Sequence, residues 1–183
     1  ERGWRTFGGL QRRVELVATD LLYIRDMALD ALPAERGGTL TVSATLANAR
    51  PHAADAALRV RVLDGDGHEL ACLESEAMQL ATGEAAACVL CTMVPGVTLW
   101  SPATPALYAV EASLVSGGAV VDSVVRRTGF RSIAAREGRL FLNGEPLTLA
   151  GFNRHEDTPA VAMAEDVDAV RRDLRSMRAA GAN

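Results

Sequence analysis

Between residues 21 and 131 the chain breaks into short runs, and the clearest of them alternate with a period of two. In the 57–63 run Leu58, Val60 and Val62 alternate with Arg59 and Arg61. In the 39–47 run Leu40, Val42, Ala44 and Leu46 alternate with Thr41, Ser43 and Thr45. Successive side chains of a strand point to opposite faces, so this pattern predicts strands with one buried face. Further strands are predicted at 21–32, 68–73, 76–80, 85–93, 107–115 and 119–126, with Asp64-Gly65-Asp66-Gly67 and Gly117-Gly118 as turns. Many short strands over about 110 residues, with no helical period among them, predict an immunoglobulin-like β-sandwich.

After the sandwich the pattern changes. Leu140 to Leu142 is an apolar run, Asn143-Gly144 follows, and a second apolar run starts at Leu147. Asn-Gly tolerates the positive φ angles of a type I′ turn, so this stretch predicts a hairpin. The second run ends in Asn153-Arg154-His155-Glu156-Asp157, polar groups at the end of a segment that is otherwise apolar. Then Val167, Val170, Leu174 and Met177 form one stripe of an amphipathic helix predicted over 162–181. Glu165, Asp166 and Asp168 load its start and Arg171, Arg172, Arg175 and Arg178 its end, both signs complementing the helix dipole, and Gly181 suits the C′ position. Strand, polar loop and helix make one βα unit, and α/β barrels place their sites where such strands end.

Gly129-Phe130-Arg131, the Asn-Gly hairpin and Gly151-Phe152-Asn153-Arg154-His155-Glu156-Asp157 resemble the entry to the catalytic barrel of glycoside hydrolase family 2. Leu99-Trp100-Ser101-Pro102 through Tyr108 resembles a segment late in that family's immunoglobulin-like domain. The fold class implied is mainly β, the sandwich being followed by the first βα unit of a truncated (β/α)8 barrel. Residues 1–19 would be the last strand of a truncated jelly-roll sugar-binding domain, 20–131 the sandwich, and 132–183 the start of the TIM barrel. Val14 and Leu16, alternating with Arg13 and Glu15, fit a half-buried strand at 11–17, although the family has an aromatic where Gln11 stands. Glu1 does not resemble a natural start, so the chain is expected to be a fragment.

The implied activity is that of a retaining exo-β-glycosidase, β-galactosidase first. A β-glucuronidase is the nearest rival reading; such relatives more often carry Lys where Arg154 stands, which discriminates weakly against it. A non-catalytic immunoglobulin-like module, binding carbohydrate or acting as a spacer, is the reading from a different class. Retaining glycosidases need two carboxyl groups about 5–5.5 Å apart across the scissile bond. Glu156 and Asp157 are adjacent and point to opposite sides of extended backbone, so no catalytic pair is expected in this chain. The resemblance places the catalytic glutamates on later barrel strands and makes the fragment inactive alone. It implies Asp157 and His155 as substrate-binding residues, with Asn153, Arg154 and Glu156 as their support, the charged two in an ion-pair network. The alternative is that the cluster only ties barrel to sandwich.

Composition narrows the partners. Apolar residues make up 49% of 183, enough for a core, and no run is long and apolar enough to span a membrane. A net charge of −4, with all 19 basic residues arginine and scattered, gives no nucleic-acid footprint. The expected partner is a β-galactoside substrate, and the exposed helix stripe predicts a homo-oligomer. No cofactor is expected in this chain, and no metal among its residues; the resemblance admits Mg or Na in the whole enzyme. Asp64-Gly65-Asp66-Gly67 lacks the later ligands of a calcium loop and reads as a hairpin turn, with His52 and His68 solvated at turns. Cys72, Cys88 and Cys91 fit no zinc spacing and read as buried free thiols, which points to a reducing, cytoplasmic setting. Trp100 and Tyr108, set among Pro102 and Pro105, read as packing anchors rather than a sugar platform.

Overall fold

The computed structural model describes residues 10, 14–156 and 163–183. The chain divides into two compact units, one Ala18–Leu147 and the other Glu1–Val17 with Thr148–Asn183.

In the first unit the strands are β1 (Leu22–Ala34), β2 (Gly37–Asn48), β3 (Ala54–Leu63), β4 (Glu69–Glu74), β5 (Met78–Leu80), β6 (Ala85–Val94), β7 (Tyr108–Ser116) and β8 (Ala119–Thr128). One sheet has the order β1-β2-β6; the other runs β4-β3-β7-β8, with β5 also paired to β3. Every pairing is antiparallel. All eight strands that the alternation predicts are therefore present, with ends shifted by a few residues. Their inward residues form one core: Leu40, Val42 and Leu46 from β2, Leu58, Val60 and Val62 from β3, and Val110, Ala112 and Leu114 from β7. Arg59 and Arg61, on the outward face of β3, instead meet Glu74 at 2.6 Å, Glu69 at 2.7 Å and Glu111 at 2.9 Å on the neighbouring strands.

β1 shows how the two-residue period survives an irregular sequence. Leu22 and Ile24 are buried, and so are Met27 and Ala31, which is a change of phase. The register slips between Ile24 and Asp26, and this bulge turns the second half of the strand back toward the core. At the same place the Ile24 amide donates to the Asp122 carboxylate of β8 at 2.8 Å, linking an edge of each sheet.

One end of the sandwich is closed by the Gly129-Phe130-Arg131 motif. Phe130 is fully buried, and its ring meets Tyr108 edge-on with centroids 5.3 Å apart. The Tyr108 hydroxyl accepts from the Thr98 amide at 2.7 Å, and the Trp100 amide donates to the Phe130 carbonyl at 2.9 Å. A Cβ on Gly129 would stand 2.9 Å from the Trp100 side chain, so only glycine fits there. Arg131 lies 5.7 Å from the centroid of the Trp100 ring, within cation–π range. Two of the segments that carry the family resemblance are thus halves of one packing lock, and the aromatics are anchors on the sandwich.

Two tight hairpins follow, β9 (Ile133–Arg136), β10 (Arg139–Leu142) and β11 (Glu145–Leu147). Asn143 and Gly144 have φ of 53° and 86°, the type I′ turn that the dipeptide predicts. The Asn143 side chain does more than turn. It accepts from the Ser132 amide at 3.0 Å and donates to the Trp100 carbonyl at 3.1 Å, fastening the hairpin to the aromatic lock. β9 was not foreseen from the sequence.

In the second unit α1 spans Val167–Ala179. It begins with the first residue of the apolar stripe and later than the predicted start at 162, because Asp166 is the N-cap, its side chain accepting from the Ala169 amide at 2.7 Å. Glu165 consequently lies ahead of the helix instead of in its first turn. The other end is a Schellman motif: Gly181, at φ 99°, donates to the Arg178 carbonyl and Ala182 to that of Met177. Val167 and Leu174 are exposed, while Val170 and Met177 are half-buried. Val14 and the residues to Val17 carry no strand, and residues 11–13 lie outside the described residues. No helix among the described residues is long and apolar enough to cross a membrane.

The thiols need a correction. Cys88 is buried, but Cys72 and Cys91 are exposed. Cys91 stands opposite Thr41 and Cys72 opposite Arg61, both outward-facing positions. Cys88 and Cys91 are three apart on one strand and therefore face opposite ways, so they form no redox pair.

Candidate functional site

The second unit assembles its polar segment around one cation. Residues 148–150 continue the chain from the hairpin, and Asn183 pairs alongside them. Its amide donates to the Ala150 carbonyl at 3.0 Å, its side-chain oxygen accepts from the Ala150 amide at 2.9 Å, and its Nδ2 donates to the Thr148 carbonyl at 2.7 Å. The helix and the returning chain of a barrel unit are in place, whereas the expected strand is not: residues 148–156 carry no strand of their own, and the Asn183 bonds tie down Thr148 and Ala150.

Arg154 follows this paired stretch and is 15% exposed. Its Nη2 meets Glu165 Oε2 at 2.6 Å and Asp173 Oδ2 at 2.7 Å, and its Nε donates to the same Asp173 oxygen at 2.9 Å. Glu165 first, then Asp173, hold the guanidinium more firmly protonated than an ordinary arginine. The Glu165 side chain is 2% exposed, and its Oε1 is buried without a hydrogen-bond partner among the described residues. A cleft of about 260 Å³ beside this network is lined by Glu156, Glu165, Asp166, Val167 and Val170.

The predicted site residues fall as follows. Arg154 lies in an ion-pair network, with Glu165 and Asp173 as its partners. Glu156 is exposed and borders the cleft that Glu165 also lines. Asn153 and His155 are exposed. Asp157 lies outside the described residues. Glu165 and Asp173 were missed as site residues because their charges also suit a helix start and a solvated helix face. The available signal was Asp173 itself, a lone acid among Arg171, Arg172 and Arg175 on the helix.

A second cluster is a turn. Asp64, Asp66 and His68 bring ligand-type atoms within 4.8 Å of one another. Asp64 Oδ1 accepts from the amides of Asp66 at 2.9 Å and His68 at 2.8 Å, and its Oδ2 lies 3.2 Å from His68 Nδ1. The His68 amide is the main cause that lowers the Asp64 carboxyl below its ordinary value. These bonds lock the β3–β4 turn, as the sequence suggests.

The chain belongs to glycosyl hydrolases family 2. The model of that family matches residues 22–131, and the model of its TIM barrel domain matches residues 133–183. The architecture is thus an immunoglobulin-like sandwich followed by the start of a TIM barrel. A β-galactosidase of Lactobacillus delbrueckii subsp. bulgaricus is 29% identical over 98% of the chain and 17% of its own length. A β-galactosidase of Psychromonas ingrahamii is 40% identical over 46% of the chain and 8% of its own length. Among solved structures, a Bacteroides uniformis β-glucuronidase superposes with a TM-score of 0.81 at 28% identity, over 90% of the chain and 21% of its own. The chain spans less than a quarter of each of these three proteins.

Proposed function

We propose that this chain is part of a retaining exo-β-glycosidase that hydrolyses terminal β-galactosides. The observation that carries this reading is the polar segment 153–156, held through Arg154 to Glu165 and Asp173 within the stretch that matches the family 2 barrel domain. The 40% match to a β-galactosidase favours the galactoside. The likeness to the B. uniformis enzyme supports β-glucuronidase as the second reading.

In this reading His155 and Asp157 bind hydroxyls of the terminal sugar, and Arg154 and Glu156 support them. Two glutamates elsewhere in the enzyme act as nucleophile and general acid/base. The free thiols favour a reducing, cytoplasmic setting. We assign no metal to these residues and leave Mg or Na to the remainder of the enzyme. The exposed Val167 and Leu174 lead the isolated chain to self-associate; a monomer by light scattering at high concentration contradicts that.

The test is turnover of aryl β-galactoside against aryl β-glucuronide by the full-length enzyme. A higher kcat/KM on the galactoside supports the proposal, and preference for the glucuronide replaces it with the second reading. The chain alone should turn over neither.

A further inference from the structure

We infer that Glu165 and Asp173 are positioning residues for the sugar-binding segment, acting through Arg154; this rests on the glycosidase reading and deepens it. The segment 153–156 has exposed side chains at Asn153 and His155, whereas Arg154 between them is drawn in. What draws it in is a pair of carboxylates on either side of the helix cap. Glu165 precedes Asp166, and Asp173 stands in the second turn of α1. One guanidinium bridging both fastens the segment to the helix start, and with it the direction in which His155 stands.

Three features give Glu165 this single task. It does not cap the helix, which Asp166 does. Its Oε2 is engaged by Arg154 at 2.6 Å, and its buried Oε1 has no hydrogen-bond partner among the described residues. It is nearly sealed from water, so its charge is directed at the guanidinium and little else. The fork matters as much as the charge. Arg154 offers Nε and Nη2 to Asp173 and Nη2 to Glu165, whereas a lysine ammonium is a point charge without a planar fork.

The experiment compares Glu165→Gln, Asp173→Asn and Arg154→Lys with the unaltered protein in two ways. In the full-length enzyme, Glu165→Gln should lower kcat/KM for an aryl β-galactoside about tenfold, mostly through kcat, while the melting temperature moves by only a few degrees. In the present chain, amide NMR should show the order parameters of residues 153–156 falling in all three variants while those of the β2, β3 and β7 amides hold. Unchanged amides at 153–156, or a kcat/KM within twofold of the unaltered enzyme, overturns the inference. So does an activity loss matched by a general loss of stability. If the unaltered full-length enzyme turns over no aryl β-glycoside, the glycosidase reading fails by itself. The amide comparison then decides alone whether the two carboxylates fix the segment.

Discussion

Gly38 and Phe130 should behave as one unit, and a double-mutant cycle can show it. A Cβ on Gly38 would stand 2.2 Å from Phe130 Cδ1, 2.6 Å from Cε1 and 2.9 Å from Cγ, so Gly38→Ala cannot keep the ring where it is. Forcing a methyl into a packed site costs about 1–3 kcal/mol. Phe130→Ala empties a fully buried site and loses the edge-on contact with Tyr108, for about 3–5 kcal/mol. With the ring gone the clash goes too. Gly38→Ala then removes the entropic cost of a glycine within a strand and partly refills the void, a gain of about 1 kcal/mol. The substitution should therefore change sign between the two backgrounds, with a coupling of about 3 kcal/mol. Urea unfolding followed by circular dichroism measures all four corners. If Gly38→Ala costs the same in both backgrounds, within about 0.5 kcal/mol, the Phe130 lock is wrongly described.

Other perturbations test separate parts of the fold. Asn143→Gly keeps the turn's φ but loses the bonds to Ser132 and Trp100, so it should cost about 1–2 kcal/mol, and Asn143→Ala more, read by the same unfolding assay. Asn48 is 1% exposed and its Nδ2 donates to the carbonyls of Leu80, His52 and Ala81. Asn48→Ala leaves buried acceptors unpaired and should cost about 2–4 kcal/mol, with faster hydrogen exchange around 80–84 as the local sign. The carboxyls of Asp20 and Asp64 are lowered in the folded state, chiefly by the amides of Leu22 and His68. A depressed pKa gives stability that is present above the unfolded value and lost as pH falls through the folded one. Unfolding midpoints should thus drop below about pH 4, and Asp20→Asn should flatten that acid limb.

Much of the sandwich was legible because alternation reports which face is buried. Leu58, Val60 and Val62 needed only their spacing from Arg59 and Arg61. Asn143-Gly144 was legible because few dipeptides tolerate two positive φ angles. Register was not legible, and the errors follow from that. Cys72 faces outward because it stands opposite Arg61, a pairing that only the assembled sheet reveals. Asn48 gave no sign of its role, since two of its three acceptors, Leu80 and Ala81, lie 32 and 33 residues away. At the site, the sequence marked the polar segment but not its support. Glu165 looked like a helix-start acid, but it lies one residue before the cap, where it meets Arg154, and that meeting depends on the fold.

Trapping the glycosyl-enzyme tests the central claim most directly. A 2-fluoro β-galactoside with a good leaving group should inactivate the full-length enzyme by leaving a covalent sugar on its nucleophile, and peptide mass mapping would locate it. The label should fall on a glutamate outside residues 1–183. A label on Glu156 or Asp157, or a failure of both the galactoside and the glucuronide reagents to label the enzyme, would contradict the account.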